Sequence, residues 1–530
     1  MRVVCIAAEC EPWAKTGGLG DVVDALARAV GATGRAAEAA GAPAVAGCTT
    51  AVSRGEPDRS AYVEPPVDVF LPRYRGVAVP DRVTARSLAV PDPLAESGTS
   101  EVTLVEFEDR GYRVRLIDHP PAFDREGYYG NASGDYADNG WRFGLLCRAA
   151  MEALLTDGRR VDVLHLHDWQ AMPAVVLRDC AYRANPLISR AAVVVTIHNL
   201  AYQGWLGLEG VAGMLFPDEL ARAQPPGSDG MLLLREGIRR AELVNTVSPG
   251  YAREVLGPAF GMGLDPVLAG LGDRFSGILN GLDTDAWDPA FDPALPERYS
   301  RADVAGKAVC RRELLSEVGF DPEDAGPVMA MIGRLDPQKG FDLLAGAAPE
   351  LIAEGVRLVT LGTGDPKLVH GLRNVAAAHP GSVAVIEAFD RALARRIYAG
   401  ADLFLMPSRF EPCGQGQMIA LRYGTPPVVH RTGGLADTVV DVDEHPDVGN
   451  GFVHDAATTK SLVDACRRAV EHYRRGGAEW AALRHRGMAI DWSWEAGPAG
   501  QYSAAYRRAV SLRRERSGGR ARPPTGVPLR

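Results

Sequence analysis

The sequence predicts an α/β protein made of two Rossmann-like halves, and three observations carry that reading. Short apolar runs rich in Val, Ile and Leu recur along the chain, at residues 161–166, 192–197, 328–332 and 401–406. Their near-continuous hydrophobicity is that of parallel strands buried on both faces. Between them lie stretches with helical spacing, such as 141–155, 231–241 and 461–473, so strand and helix alternate. Finally, the string Lys15-Thr16-Gly17-Gly18-Leu19-Gly20-Asp21-Val22-Val23 returns as Arg431-Thr432-Gly433-Gly434-Leu435-Ala436-Asp437-Thr438-Val439. Each copy sits between an apolar run and a helical pattern, as two similar halves would produce.

A chain of 530 residues and 56.6 kDa suits two substantial domains. With 46% hydrophobic and 24% charged residues it is ordinary globular protein, which excludes disordered and fibrous classes for most of its length. Lys and Arg number 58 against 67 Asp and Glu, and the net charge of −9 argues against nucleic acid as a principal partner. Met1 to Ala8 run directly into Glu9 and Glu11, unlike a signal peptide. No run approaches the ~20 apolar residues a membrane helix needs. The eight cysteines include no Cys-x-x-Cys pair, which fits neither a zinc site nor a disulfide framework. These features lead us to expect a cytoplasmic protein with no membrane partner.

In chain order, polar or glycine-containing loops follow the strand ends at 9–20, 167–170, 198–203, 333–340, 362–366 and 407–416, where open α/β sheets bind ligands. The loop-like, Asp-, Pro- and Ala-rich stretch 285–296 places the boundary between halves after Leu282. The expected domains are therefore 1–282 and 283–491. Residues 31–66 and the Arg-, Gly- and Pro-rich tail 513–530 have compositions that favour flexible segments.

The first loop follows a strand and opens a helix, so unpaired backbone N–H groups and the helix dipole point at one spot, with Lys15 adding charge. That arrangement predicts a phosphate cradle. It has neither the Gly-x-Gly-x-x-Gly order of a dinucleotide site nor the Gly-Lys-Ser/Thr ending of a P-loop. Arg334 and Lys339 lie in a second strand-end loop and suit a diphosphate leaving group. Glu411, in Ser408-Arg409-Phe410-Glu411-Pro412-Cys413-Gly414, offers a carboxylate to sugar hydroxyls. His165 and His167 share one strand face, as metal ligands do, but no carboxylate cluster at ligand spacing accompanies them. With Asp168, His198 and Asn199 they fit either hydrogen bonding to a polar ligand or a structural strand end. No Gly-x-Ser-x-Gly elbow is present.

These strings occur together with Thr196-Ile197-His198-Asn199-Leu200-Ala201-Tyr202-Gln203-Gly204, Asn245-Thr246-Val247-Ser248-Pro249 and Gly277-Ile278-Leu279-Asn280-Gly281-Leu282-Asp283. The ordered set resembles the bacterial glycogen synthases and plant starch synthases over nearly the whole chain. The resemblance implies a GT-B glycosyltransferase, with two Rossmann-like domains facing a cleft. It would move glucose from ADP-glucose to the non-reducing end of an α-1,4-glucan with retention of configuration and without a cofactor or metal. By the same resemblance Lys15, Gly17 and Gly18 contact the donor diphosphate, and Arg334 and Lys339 hold it from the other domain. His167 lines the sugar site with Asp138, Asn139 and Asn280. Glu411 meets the donor glucose, and Cys413, Gly414 and Gly416 complete the donor loop. Segment 492–512, with Trp494, Tyr502 and Tyr506, is expected to be a helix crossing back to the first domain.

In such an enzyme the diphosphate charge must be stabilised as the glycosidic bond breaks, a task for Lys339 and Arg334. The leaving phosphate can then take the acceptor hydroxyl's proton. The sequence departs from the family pattern at four places: the apparent insertion 31–66, Asp24 where a small residue is common, Gln415-Gly416-Gln417 in place of Leu-Thr-Gln, and Ile419 at the second position of a paired-glutamate pattern. The alternatives are a retaining transferase using UDP-glucose and a catalytically silent glucan-binding paralogue. Oligomeric state leaves no mark in the sequence.

Overall fold

In the computed structural model, residues 1–39, 67–131, 133–223 and 227–518 are described. The chain divides into two compact units. The first comprises Met1–Asn245, Pro258–Ser276 and Gly497–Arg530, and the second Thr246–Gly257 and Gly277–Ala496. The division falls at Ser276/Gly277, earlier than the boundary expected after Leu282. The chain also changes unit in the short excursion 246–257, which no composition shift announces.

Among the described residues the first unit is built on a nine-stranded sheet. Its strands are β1 (Val3–Ile6), β2 (Val67–Pro72), β3 (Thr84–Pro91), β4 (Thr99–Asp109), β5 (Tyr112–Asp118), β6 (Val163–His167), β7 (Ala192–Ile197), β8 (Leu243–Thr246) and β9 (Phe275–Gly277). They lie in the order β9-β8-β7-β6-β1-β2-β5-β4-β3. Strands β5, β2, β1, β6 and β7 run parallel, while β4 and β3 add an antiparallel edge. The two kinds of strand differ in sequence for a physical reason. Central β1, β2, β6 and β7 are buried along their whole length. Edge strand β3 buries only alternate residues, Leu88 and Val90, because one of its faces meets solvent.

The second unit carries a six-stranded, wholly parallel sheet: β10 (Val328–Ile332), β11 (Arg357–Leu361), β12 (Val383–Ile386), β13 (Leu403–Met406), β14 (Pro427–His430) and β15 (Phe452–His454). The order β12-β11-β10-β13-β14-β15 is that of a dinucleotide-binding fold. Successive residues feed opposite cores, as the strand period requires. Val328, Ala330, Phe404 and Met406 join one cluster, and Met329, Met331, Leu403 and Leu405 the other.

The helices packed against these sheets include α1 (Gly18–Ala39), α2 (Asn139–Asp157), α3 (Phe341–Ala353), α4 (Gly416–Arg422), α5 (Gly433–Thr438), α6 (Thr459–Arg475) and α7 (Pro498–Gly518). Helix α1 continues through residues 31–39, where a flexible insertion was expected; its Ala-rich composition is as compatible with a helix as with a loop. Residues 40–66 of that segment lie outside the described residues. Helix α7 starts at Pro498, which takes the first-turn place that suits proline. It extends past the expected end at residue 512 into the supposed tail as far as Gly518, and residues 519–530 lie outside the described residues.

The echo of the glycine strings does not mark equivalent positions in the two halves. The first copy follows β1, at the centre of its sheet, whereas the second follows β14, near the edge of the other. What the two copies share is a glutamate that accepts from the threonine and glycine of the turn. Asp24, unusual in its helix, is buried and satisfied: it accepts from the Tyr112 hydroxyl (2.8 Å), Arg28 Nε (3.1 Å) and Arg110 Nη1 (3.1 Å).

Candidate active site

In both units the strand order reverses beside the first strand, between β1 and β6 and between β10 and β13. Ligands bind open α/β sheets at such switch points. The sequence-predicted residues cluster there, Lys15 after β1, His167 closing β6, Arg334 and Lys339 after β10, and Glu411 after β13.

In the second unit, Asp336 caps a short 3-10 turn (Pro337–Lys339) by accepting from Gln338 N at 2.7 Å. Gly340 then enters α3 with φ of +80°, and a Cβ there would collide with the Pro407 carbonyl. Gln338 Nε2 donates to the Phe410 carbonyl (3.1 Å), Arg409 N donates to the Gln338 carbonyl (2.8 Å), and Arg409 forks onto Asp342. Two loops distant in sequence are thereby clamped together. Lys339 Nζ lies 2.6 Å from Glu411 Oε2, which also accepts from Ser408 Oγ at 3.0 Å. The more exposed Arg334 sits 3.8 Å from Asp336. Asn280 is buried, and its Oδ1 has no partner among the described residues.

The Cys413 thiol accepts from Asn280 and is pushed up to about 12 by burial, so it packs as a neutral group. Gly414 holds φ of +72°. Gly416 opens α4, and a Cβ on it would meet the Phe404 ring at 3.0 Å and the Tyr398 hydroxyl at 3.2 Å. The site of the family's threonine is thus filled by aromatic side chains here. Ile419 is buried in the apolar core, an environment costly for a second glutamate.

The first unit corrects one expectation. The backbone donors of the Lys15 loop are not unpaired: Glu9 accepts from Thr16 N (2.6 Å), Thr16 Oγ1 (2.6 Å), Gly17 N (3.2 Å) and the Tyr129 hydroxyl (2.5 Å). Lys15 Nζ bridges Glu11 (2.6 Å) and Asp21 (2.5 Å), and burial raises Asp21 to about 7 against the pull of that lysine. Gly18 begins α1. In the second copy Glu254 accepts from Thr432 Oγ1 (3.0 Å) and Gly433 N (2.8 Å). Both Thr-Gly-Gly turns are thus capped by a glutamate, a pairing that the sequence did not reveal because neither acid adjoins the glycines it caps.

His167 is buried, its Nδ1 lies 3.0 Å from His198 Nε2, and its own Nε2 has no partner among the described residues. Asp168 occupies the left-handed region at φ of +53°, a strained geometry for a non-glycine residue. It accepts from His198 N at 2.7 Å, and desolvation raises it to about 7. Desolvation lowers His165 and His198 to about 3 and His167 well below its usual range, so all three rings are neutral. Cys5, His165 and His167 bring ligand atoms within 4.8 Å of one another, a grouping that the spacing of the two histidines hinted at without Cys5. Both ring nitrogens of His165, however, lie within hydrogen-bond distance of hydroxyls, those of Thr196 and Tyr506.

Asp138 and Asn139 are turned to structural partners. Asp138 takes both arms of Arg125 at 2.7–2.8 Å, and Asn139 donates to the Tyr129 carbonyl and accepts from Arg142. They fix the 125–130 segment that carries Tyr129 to Glu9.

Two Rossmann-like units with cationic strand-end loops define a GT-B glycosyltransferase. The family described as "Starch synthase catalytic domain" matches residues 2–40 and 51–270, and "Glycosyl transferases group 1" matches 326–472. The chain is 42% identical to the glycogen synthase of Halorhodospira halophila over 97% of its length and all of that protein, and 37% identical to glycogen synthase 2 of Geobacter sulfurreducens over the same shares. The catalytic domain of Starch Synthase IV from Arabidopsis thaliana, solved bound to ADP and acarbose, superposes with a TM-score of 0.82 at 32% identity, covering 96% of this chain and 99% of that one. The chain therefore belongs to the glycogen and starch synthase family. Among the described residues no helix is long and apolar enough to cross a membrane.

Proposed function

We propose that this protein elongates an α-1,4-glucan, transferring glucose from ADP-glucose to the non-reducing end with retention of configuration. The observation that carries the reading is the Lys339–Glu411–Ser408 cluster at the switch point of the second unit, with Arg334 in the adjoining loop. An ammonium at that strand end meets the charge that builds on a departing diphosphate, and fixed cations do this without reorganisation during the reaction. Glu411 serves twice in this account, orienting Lys339 in the free enzyme and accepting hydroxyls of the donor glucose once the lysine turns to phosphate. Asn280 Oδ1 and His167 Nε2, buried without partners among the described residues, are suited to sugar hydroxyls. Lys15 can offer charge to donor phosphate by exchanging Glu11 and Asp21 for phosphate oxygens, with Gly17 and Gly18 leaving room for a close approach. Gly414 and Gly416 shape the donor loop, which Cys413 anchors to Asn280. Asp138 and Asn139 support the sugar site through the Tyr129 segment.

No covalent nucleophile is required, because the leaving phosphate removes the acceptor's proton on the face it has just left. The ADP and acarbose of the Arabidopsis relative are consistent with an adenosine-diphosphate sugar donor and a glucan acceptor here. The test is incorporation of labelled glucose into glycogen from ADP-glucose and, in parallel, from UDP-glucose. We expect ADP-glucose to be preferred and Lys339→Ala to lower kcat by about 10²-fold or more. A folded wild type that binds glycogen without turnover would identify a silent paralogue, and a preference for UDP-glucose would reassign the donor.

A further inference from the structure

The first unit contains a buried hydrogen-bond chain that diphosphate and sugar recognition leave unused. The Tyr506 hydroxyl on α7 lies 2.9 Å from His165 Nδ1, and His165 Nε2 lies 2.7 Å from Thr196 Oγ1. Thr196 Oγ1 donates to Asn245 Oδ1 at 3.0 Å, and Asn245 Nδ2 donates to the Tyr502 hydroxyl at 3.0 Å. None of the five residues is more than 3% exposed. The chain joins α7 to β6, β7 and β8.

Counting protons gives this chain a direction. Thr196 has one hydroxyl proton and spends it on Asn245, so towards His165 it can only accept. The ring proton of His165 therefore sits on Nε2, and Nδ1 presents a lone pair that takes the proton of Tyr506. Burial, which lowers His165 to about 3, keeps the ring neutral. The groups facing it agree with that state: His167 and His198, Tyr502 and Tyr506 from α7, and Cys5, its partner across β1, whose thiol burial pushes up to about 12.

We propose that α7, through Tyr506, holds in place the Nε2–H tautomer of His165 that Thr196 selects and so seats His167, making Tyr506 and Thr196 positioning residues for glucosyl transfer; the role of His167 in this claim rests on the proposed transferase function. The rings of His165 and His167 are 4.1 Å apart. The ring with an open nitrogen is thus backed by one that can turn only by breaking hydrogen bonds at both of its own nitrogens. Replacing Tyr506 by Phe keeps the packing and removes only one of the two hydrogen bonds that hold the ring.

The test uses the whole chain with heavy-nitrogen-labelled histidine rings, read by NMR beside steady-state kinetics. His167→Gln assigns the His167 signals, and Tyr506→Phe those of His165. In the wild type His165 should show a single tautomer protonated at Nε2. In Tyr506→Phe the ring loses its hold at Nδ1, so the His165 Nδ1 signal and the His167 signals should shift, with kcat down about tenfold and the donor KM within about twofold. Thr196→Val, which removes the acceptor of the ring proton, should also mix the two tautomers, and Thr196→Ser, which keeps the hydroxyl, should restore the wild-type state. If Tyr506→Phe does not fold, the two Thr196 variants carry the test. A wild-type proton on Nδ1, or variants that leave the His167 signals and kcat unchanged, would overturn the proposal. A wild type that transfers no glucose defeats the functional reading instead, and the ring signals still decide the positioning claim.

Discussion

Lys15 and Lys339 look alike in the sequence, each within two residues of a glycine in a loop that follows an apolar run, yet their surroundings differ. Lys339 shares its carboxylate with Ser408, whereas Lys15 is held between two acids. That difference was illegible because spacing does not say whether Glu11 and Asp21, four and six residues from Lys15, turn towards it, while Glu411 reaches Lys339 across 72 residues. Lys339 and Glu411 could be picked out because each lies in the loop after a recognisable strand. The buried histidines lead to a pH prediction. His165 and His198 are lowered to about 3 and His167 well below its usual range, so between that range and the ordinary value of about 6.5 the unfolded chain binds more protons than the native one. Their contribution to stability is complete above about pH 6.5 and drains as the pH falls. Asp168 and Asp21, raised to about 7, and Asp24, also raised, act in the opposite direction over part of that window. The three histidines act together with His454 and His119, also lowered by burial, so the lowered groups outnumber the raised ones and urea unfolding should give a lower midpoint at about pH 4.5 than at about pH 7. His198→Asn, which removes one of the three, should shrink the difference.

Element positions followed from pattern more readily than side-chain partners did. β7 and β10 match their apolar runs, and α2 and α6 extend the expected helices by two residues or so at each end. The misreadings have specific causes. Ala-rich α1 gave no apolar stripe over 31–39, and the echoed Thr-Gly-Gly turn marks a shared capping device, glutamate on threonine and glycine, instead of a repeated strand position. The loop between β10 and α3 depends most on a single residue. Gly340 combines a left-handed backbone with a Cβ direction blocked by the Pro407 carbonyl. Gly340→Ala should therefore cost about 2 kcal/mol or more by urea unfolding. Because Lys339 is the preceding residue, transfer should fall more than the lost stability explains. Gly371→Ala, within a helix, with nothing near its Cβ and no left-handed backbone, should raise stability by about 0.5–1 kcal/mol and leave transfer unchanged.

At the scale of the molecule, the two units are not two consecutive stretches of chain. The first closes only when α7 returns to it, after the second is complete. A sequence reader sees this return as an aromatic helix following Trp494, without knowing what it packs on. The structure shows Tyr502, Tyr506 and Ala509 almost wholly buried, with Arg513 reaching Glu242 and the Ser189 carbonyl. Removing the helix would empty the space of two tyrosines, where comparable core truncations cost several kcal/mol each. It would also take one hydrogen-bond partner each from His165 and Asn245, and both Arg513 and Arg516 from the buried Glu242. A chain ending at Ala496 should therefore lose the calorimetric transition of the first unit or show it at a much lower temperature. The transition of the second unit, which keeps its sheet and both apolar clusters, should stay near its wild-type position. Equal destabilisation of the two transitions would mean that the units fold as one cooperative body, and that α7 stabilises the molecule as a whole instead of the half to which it returns.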